Sequence, residues 1–311
     1  MSLERALELA ERGRGTTHPN PVVGAVVVCD GEIVGEGWHE RKGGPHAERV
    51  ALEAAGEAAR GATLYVTLEP CAHHGSTPPC ADAIVAAGIS RVVVGSRDPN
   101  PEAAGGVERL REAGVEVELA DSFESYRQNE AWRTWVSQGR PFVTFKAAVT
   151  LDGRMTMPGS RWISGEESRR RVHELRAASD AVAVGMGTFR ADAPRLDARD
   201  VGAVRQPRRV VFGHGPVPDP FDLRPGPLAD ELAALARDGV QSLLLEGGPT
   251  LAGSFLAEDL VDKLLLFVTP ALAGNGLRLP DLPAPRRLSR LTSEHVGEDV
   301  LLTAYLHTPG E

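Results

Sequence analysis

Gly43-Gly44-Pro45-His46-Ala47-Glu48 starts one run of helical spacing, and Glu69-Pro70-Cys71, with Cys80 nine positions later, joins the next strand-like run to the helix-like run beyond it. One imidazole and two thiolates make three protein ligands for zinc, and a catalytic zinc site keeps its fourth position for water. Glu48 is not needed as a ligand. Two residues from His46, it can sit beside that water, take its proton during attack on a ring carbon and pass protons to a leaving amine. Helix N-termini favour thiolate over thiol, which is the form a metal binds. Each residue also has an ordinary reading as a core cysteine, a solvated histidine or a helix-start glutamate. A closed structural site would draw its fourth ligand from His73 or His74, making the chain a non-catalytic zinc-stabilised scaffold. Cys29, before a turn, reads as a small buried hydrophobe.

Outward from this constellation, the pattern alternates. Leu3, Ala6, Leu7 and Ala10 recur at helical spacing and stop at Gly13 to Gly15. Strands are expected at 22–28 and 32–38, joined by Asp30-Gly31 as a two-residue hairpin turn. Helices are expected at 46–59, 81–87 and 107–113, and strands at 62–68, 91–94 and 115–119. Such alternation implies an α/β sandwich whose sheet is mainly parallel after the first hairpin. Residues 122–137 read as one connecting helix ended by Gly139-Arg140-Pro141, which predicts domains at 1–139 and 140–311. The second half restarts with strands at 142–149, 181–184, 209–212, 242–245, 263–268 and 300–306, and helices at 166–177, 228–237 and from Thr250. No repeat relates the halves.

The 311 residues are enough for two domains with separate cores. A hydrophobic share of 42% with 25% charged residues is that of a globular protein. With 34 basic against 43 acidic residues the net charge is −9, which argues against a nucleic acid or membrane partner and still allows a small phosphorylated substrate. Three cysteines make no disulfide framework, no signal-peptide character is seen, and the apolar run Leu264 to Val268 is too short to span a bilayer. A cytoplasmic homo-oligomer is the expectation.

The His-Ala-Glu and Pro-Cys…Cys arrangement resembles the cytidine-deaminase superfamily, whose usual second element is Pro-Cys-x-x-Cys. This chain has Ala72 to Pro79 between the cysteines instead. The longer run Thr67 to Cys80, with Thr16-Thr17-His18-Pro19-Asn20-Pro21 and Asp98-Pro99-Asn100-Pro101, is similar to the bifunctional riboflavin-biosynthesis deaminase/reductases. The resemblance implies a cytidine-deaminase-like α/β/α sandwich in which Asn20, His39 and His73 contact the substrate. Ser76 stands where that family usually has lysine or arginine.

Lys146 to Arg154, Ser160-Arg161-Trp162-Ile163-Ser164, Gly185-Met186-Gly187-Thr188 with Asp192, and Leu244 to Leu251 resemble the reductase half of the same family, which has a dihydrofolate-reductase-like α/β fold. A buried strand ending in Gly247-Gly248 before a helix suits a pyrophosphate. By resemblance, Ala148, Trp162, Thr188, Asp192 and the turn Gly248, Pro249, Thr250, Leu251, Ala252, Gly253 and Ser254 contact NADPH. Ser160, Arg176, Leu196, Arg199 and Glu246 contact the ribosyl substrate, the two arginines suiting its phosphate. The loop between Asp152 and Trp162 is shorter than usual, and no strand is expected in the proline-rich 213–227. No general acid for the reduction stands out beyond Lys146 or Asp152. The family implies zinc-dependent removal of the 2-amino group of 2,5-diamino-6-(5-phosphoribosylamino)pyrimidin-4-one, then reduction of the ribosyl chain by NADPH. The rival from the same superfamily is a deaminase of guanine or tRNA adenosine carrying an unrelated C-terminal domain.

Overall fold

The computed structural model describes residues 2–73 and 78–308, so His74 and Ser76 lie outside the described residues. The chain divides into two compact units, one ending at Gln138 and the other beginning at Gly139. Among the described residues, no helix is long and apolar enough to cross a membrane.

The first unit runs α1 (Ser2–Glu11), β1 (Gly24–Cys29), β2 (Glu32–Trp38), α2 (Ala47–Ala55) with a 3-10 turn at Gly56–Ala59, β3 (Thr63–Val66), α3 (Cys80–Ala86), β4 (Arg91–Val94), α4 (Gly106–Glu112), β5 (Glu116–Leu119), α5 (Phe123–Gln128) and α6 (Glu130–Gln138). Asp30 and Gly31 both have positive φ, at 50° and 85°, as the tight hairpin turn requires. The sheet order is β2-β1-β3-β4-β5. Strand β1 pairs antiparallel with both β2 and β3, and the rest is parallel.

The period of two along β1 decides what each face buries. Ala25 and Val27 join Leu64, Val66, Val92 and Val94 in a core closed by Ala47 and Ala51 of α2, Ile84 of α3 and Leu110 of α4. Val26 points the other way and packs on Ala6 and Leu9 of α1. Helix α2 lies on β2 almost without spacing: a Cβ on Gly37 would fall 2.4 Å from the Ala47 carbonyl oxygen. Only glycine permits that approach.

The single helix expected at 122–137 is in fact two. Asn129 interrupts it, because its side-chain amide both accepts from Val22 N (3.0 Å) and donates to Val22 O (2.8 Å), fixing the chain before β1.

The second unit contains β6 (Phe142–Thr150), α7 (Glu166–Ala178), β7 (Ala181–Gly185), α8 (Met186–Asp192), β8 (Arg208–Phe212), β9 (Phe221–Arg224), α9 (Leu228–Arg237), β10 (Ser242–Leu245), α10 (Pro249–Ala257), β11 (Lys263–Thr269), β12 (Ser289–Val296) and β13 (Asp299–Tyr305). Its sheet order is β12-β13-β11-β6-β10-β7-β8-β9, parallel from β11 to β9 and antiparallel at β12 and β13. Residues of one parity, among them Phe145, Ala183, Phe212 and Leu245, face α9 and α10 through Leu232, Leu235 and Phe255. Val182, Val184, Val211 and Leu244 face the opposite way, toward Leu175 of α7 and Leu196. Burial of a large side chain such as Phe145 or Phe255 contributes about 1.5–3 kcal/mol.

The strand expected to be missing is present as β9, parallel to β8 from Arg209↔Phe221 to Phe212↔Arg224. Its four residues sit between Pro220 and Pro225, positions an edge strand tolerates. Phe221 and Leu223 alternate onto the sheet, with the Phe221 ring 5.0 Å from that of Phe189. Arg224 and Arg208 share the carboxylate of Asp222, each at 2.7 Å, and Arg208 also reaches Asp238 at 2.9 Å.

Candidate active sites

His46 is the N-cap of α2, extended at φ −73° and ψ 156°, so its ring projects from the helix start while Glu48 lies in the first turn. Beyond β3, the chain stays extended because Thr67 N donates to Gly24 O and Glu69 N donates to Ser96 O. That extension delivers Cys71 to the start of α3, where the Cys80 N–H donates to the Cys71 sulfur at 3.3 Å. His46 Nδ1 lies 3.6 Å from Cys71 Sγ and 3.3 Å from Cys80 Sγ. The three ligand atoms lie within 4.8 Å of one another. No disulfide links the cysteines.

Hydrogen bonds, that from Cys80 first, hold the Cys71 thiol below its usual range against the effect of burial, while the same contact and burial push the Cys80 thiol up. Two sulfurs and one imidazole nitrogen converging in this way fit a zinc ion. Glu48 is 3% exposed, and burial pushes its carboxyl above the usual range. His39 is also buried, edge-on to His46 with ring centroids 5.6 Å apart. Its Nδ1 meets the Pro45 carbonyl at 3.0 Å and its Nε2 meets Asn20 Nδ2 at 3.4 Å. Asn20 and His39 thus come together beside His46, whereas His73 is exposed.

Glu69 escaped functional reading in the sequence. Its buried carboxylate accepts backbone N–H groups from Asp98 (3.2 Å), Gly105 (3.1 Å) and Val107 (3.0 Å). Its signal was only its place beside Pro70 and Cys71.

In the second unit Glu246, at the end of β10, forms a two-pronged ion pair with Arg176 of α7 at 2.6 and 3.0 Å, and Lys146 of β6 closes it at 3.1 Å. Although burial opposes ionisation, Lys146 and Arg176 hold Glu246 down to about 2. Arg176 also donates to the Asp197 carbonyl, so its guanidinium is spent on protein acceptors. Arg199 is more open and bonds Asp197 Oδ1 at 2.6 Å. Leu196 is 1% exposed with φ 51°, so it can offer a ligand only its backbone. Asp152, the other acid considered, accepts from Thr150 and from the N–H groups of Ala273 and Gly274; these hydrogen bonds, led by that of Thr150, hold it at about 2. It remains ionised and has no proton to give.

The turn after β10 has Gly248 as N-cap of α10 and Pro249 in its first turn. Thr188 Oγ1 accepts the Gly248 N–H at 3.2 Å, and proline has none. The first N–H groups at the helix start are therefore those of Thr250 and Leu251. Ala252 is buried, Gly253 abuts Pro280, and Ser254 is on the exposed side. Ala148 lies in β6 and Asp192 ends α8. Trp162 is 53% exposed, with the guanidiniums of Arg161 and Arg169 over its ring at 5.2 and 5.5 Å, and Ser160 Oγ donates to its carbonyl.

Residues 2–96 match the family described as the cytidine and deoxycytidylate deaminase zinc-binding region, and residues 141–302 match the RibD C-terminal domain. The chain is 42% identical to the riboflavin biosynthesis protein RibD of Aquifex aeolicus, covering 96% of each chain. It is 40% identical to RibD of Escherichia coli, covering 96% of this chain and 97% of that one. The alignment with the Aquifex protein runs over 348 positions, more than the 311 here, so this chain lacks segments that its relative carries. Among solved structures, Acinetobacter baumannii RibD superposes with a TM-score of 0.84 at 37% identity, covering 98% of this chain and 97% of that one. The Thermotoga maritima diaminohydroxyphosphoribosylaminopyrimidine deaminase/5-amino-6-(5-phosphoribosylamino)uracil reductase gives 0.83 at 37%, with the same coverage. With both halves matched in order and the likeness spanning nearly the whole chain, the protein belongs to the RibD family of bifunctional riboflavin-biosynthesis deaminase/reductases.

Proposed function

We propose that residues 1–139 deaminate 2,5-diamino-6-(5-phosphoribosylamino)pyrimidin-4-one and that residues 140–311 reduce the ribosyl chain of the product, in the cytoplasm. The observation carrying this reading is the convergence of His46, Cys71 and Cys80 within 4.8 Å beside the buried Glu48. Zinc held by these three supplies, when bound, a Lewis acid that makes water nucleophilic near neutral pH. Glu48 takes the proton of the attacking water as its oxygen bonds to C2. It then passes the proton to the 2-amino nitrogen, so that ammonia leaves and an oxo group remains. Its burial keeps bulk water out of that exchange. Asn20 and His39 orient the pyrimidine, and His73 contacts it. Burial favours the neutral His39 ring, which leaves it a hydrogen-bonding rather than a charged group.

In the second unit NADPH supplies hydride to the ring-opened ribosyl carbon when bound. Thr250 and Leu251 offer N–H groups to its pyrophosphate, within the Gly248 to Ser254 turn. Ala148, Trp162, Thr188 and Asp192 line the rest of the cofactor. On the substrate side, Ser160 and Glu246 contact the ribosyl chain, Arg199 suits its phosphate, Leu196 contributes backbone, and Arg176 acts through Glu246. Lys146 is the remaining candidate to protonate the developing alkoxide, being an ammonium beside Glu246.

Incubating the purified protein with the diaminopyrimidine, first without and then with NADPH, and following product mass tests the reading. The expected order is amino-to-oxo exchange, then gain of two hydrogens. Glu48→Gln should lose about 10²–10⁴-fold in the first step and nothing in the second. Unimpaired deamination by that variant refutes the assignment.

A further inference from the structure

Strand β3 ends five residues before Cys71, so something other than sheet pairing must fix this ligand. Glu69 does so through its main chain and its side chain together. Its N–H donates to Ser96 O at 2.9 Å, and its carboxylate collects the N–H groups of Asp98, Gly105 and Val107. Gly105 is the N-cap of α4 and has no side chain to cap it. From the loop beyond β3, the Glu69 carboxylate takes over that task, accepting two of the orphan donors. Gly106, the first residue of α4, closes the joint: a Cβ there would fall 1.8 Å from the Pro70 carbonyl oxygen. Helix α4 therefore abuts the peptide that carries Cys71. Ala72 is held on the far side, its N–H donating to Ala103 O and its carbonyl accepting from Arg109.

We infer that Glu69 is a positioning residue for the metal centre: by capping α4 across the fold it clamps the Pro70–Cys71 backbone at the distance from His46 and Cys80 that zinc requires. This rests on the proposed role of Cys71 as a ligand. Glu69 touches neither metal nor substrate. It acts on where Cys71 Sγ stands, and groups that orient metal ligands typically affect metal affinity by about 10–100-fold.

The test uses the full-length protein, with zinc affinity read by competition against a chromophoric chelator and ligand geometry read from the visible spectrum of the cobalt-substituted form. Glu69→Ala is expected to bind zinc about 10–100-fold more weakly with an altered cobalt spectrum. Reduction of the deaminated substrate should be unchanged, and a cooperative thermal transition of the deaminase unit serves as its folding control. Glu69→Gln keeps one acceptor oxygen for Gly105 and Val107 but turns an N–H₂ toward the Asp98 N–H, so an intermediate loss is expected. Gly106→Ala, pressing on the same peptide from the other side, should reproduce the spectral change. If Glu69→Ala does not fold, the Gln and Gly106 variants decide. Folded variants with wild-type zinc affinity and an unchanged cobalt spectrum overturn the inference, even if they melt earlier. Should the wild-type protein itself bind no zinc, it is the metal-centre reading that fails, and the two failures are thereby told apart.

Discussion

Gly37→Ala tests whether the position of α2 governs the deaminase centre. The added Cβ would lie 2.4 Å from Ala47 O and 2.6 Å from Ala51 N, both backbone atoms that no rotamer change can move. Ordinary contact begins at 3.4 Å, so α2 must retreat by about 1.0 Å (3.4 − 2.4) near the turn that carries His46 and Glu48. Overpacking of this kind costs about 1–3 kcal/mol. Alanine regains roughly 0.5–1 kcal/mol over glycine in a strand, so the net loss is on the order of 1–2 kcal/mol. The catalytic cost is larger, since a misplacement of about 1 Å lowers rates by roughly 10²-fold. Urea unfolding gives the first quantity, and ammonia release under saturating substrate gives the second. A folded Gly37→Ala protein with wild-type deamination and an unchanged unfolding midpoint would refute the claim that this close approach sets the site.

The buried carboxylate of Glu246 should show in acid. Its pKa is depressed to about 2 by Lys146 and Arg176, so the stability it contributes is complete above about pH 4.5 and disappears as pH falls toward 2. That contribution is on the order of 3 kcal/mol. Glu246→Gln should be destabilised by about that much at pH 7, with the gap to wild type closing near pH 2.5; a gap constant with pH would contradict the ion-pair account. Stripping zinc with a chelator should abolish deamination, spare reduction of the deaminated product, and be reversed by added zinc. Parallel loss of both activities would show instead that the metal sustains the whole fold.

The deaminase centre was legible because its side chains are chemically committed. Histidine, cysteine and glutamate at helix starts carry their meaning in their own atoms, and the structure brings His46, Cys71 and Cys80 together, with Glu48 buried in the first turn after His46. Glu69 was not legible, because its partners are backbone N–H groups that nearly every residue possesses. Arg176 was read as a phosphate fork, a reading that chemistry permits, but only the fold reveals that Glu246 already fills the fork. The outer strands escaped for a different reason. Strand β12 is exposed along nearly its whole length, so no buried face imposes a period of two. Strand β9 has only Phe221 and Leu223 to announce it among prolines. Asn129 looks like any helical polar residue until its amide is seen to grip Val22. Periodicity reports burial, and segments whose fold depends on something else stay silent in it.

The rim of the larger sheet at β9 bears on how the protein behaves at high concentration. A parallel sheet that simply stopped at β8 would expose five residues of unsatisfied main chain to any neighbouring molecule. Strand β9 ends the ladder instead with four residues, prolines on both sides, and arginines already matched to acids. An incoming strand would have to strip water from those charges and would find little length to grip. The sheet is thus closed to growth into ribbons along this side, and the ion pairs there do more for solubility than the ~0–1 kcal/mol that each adds to stability.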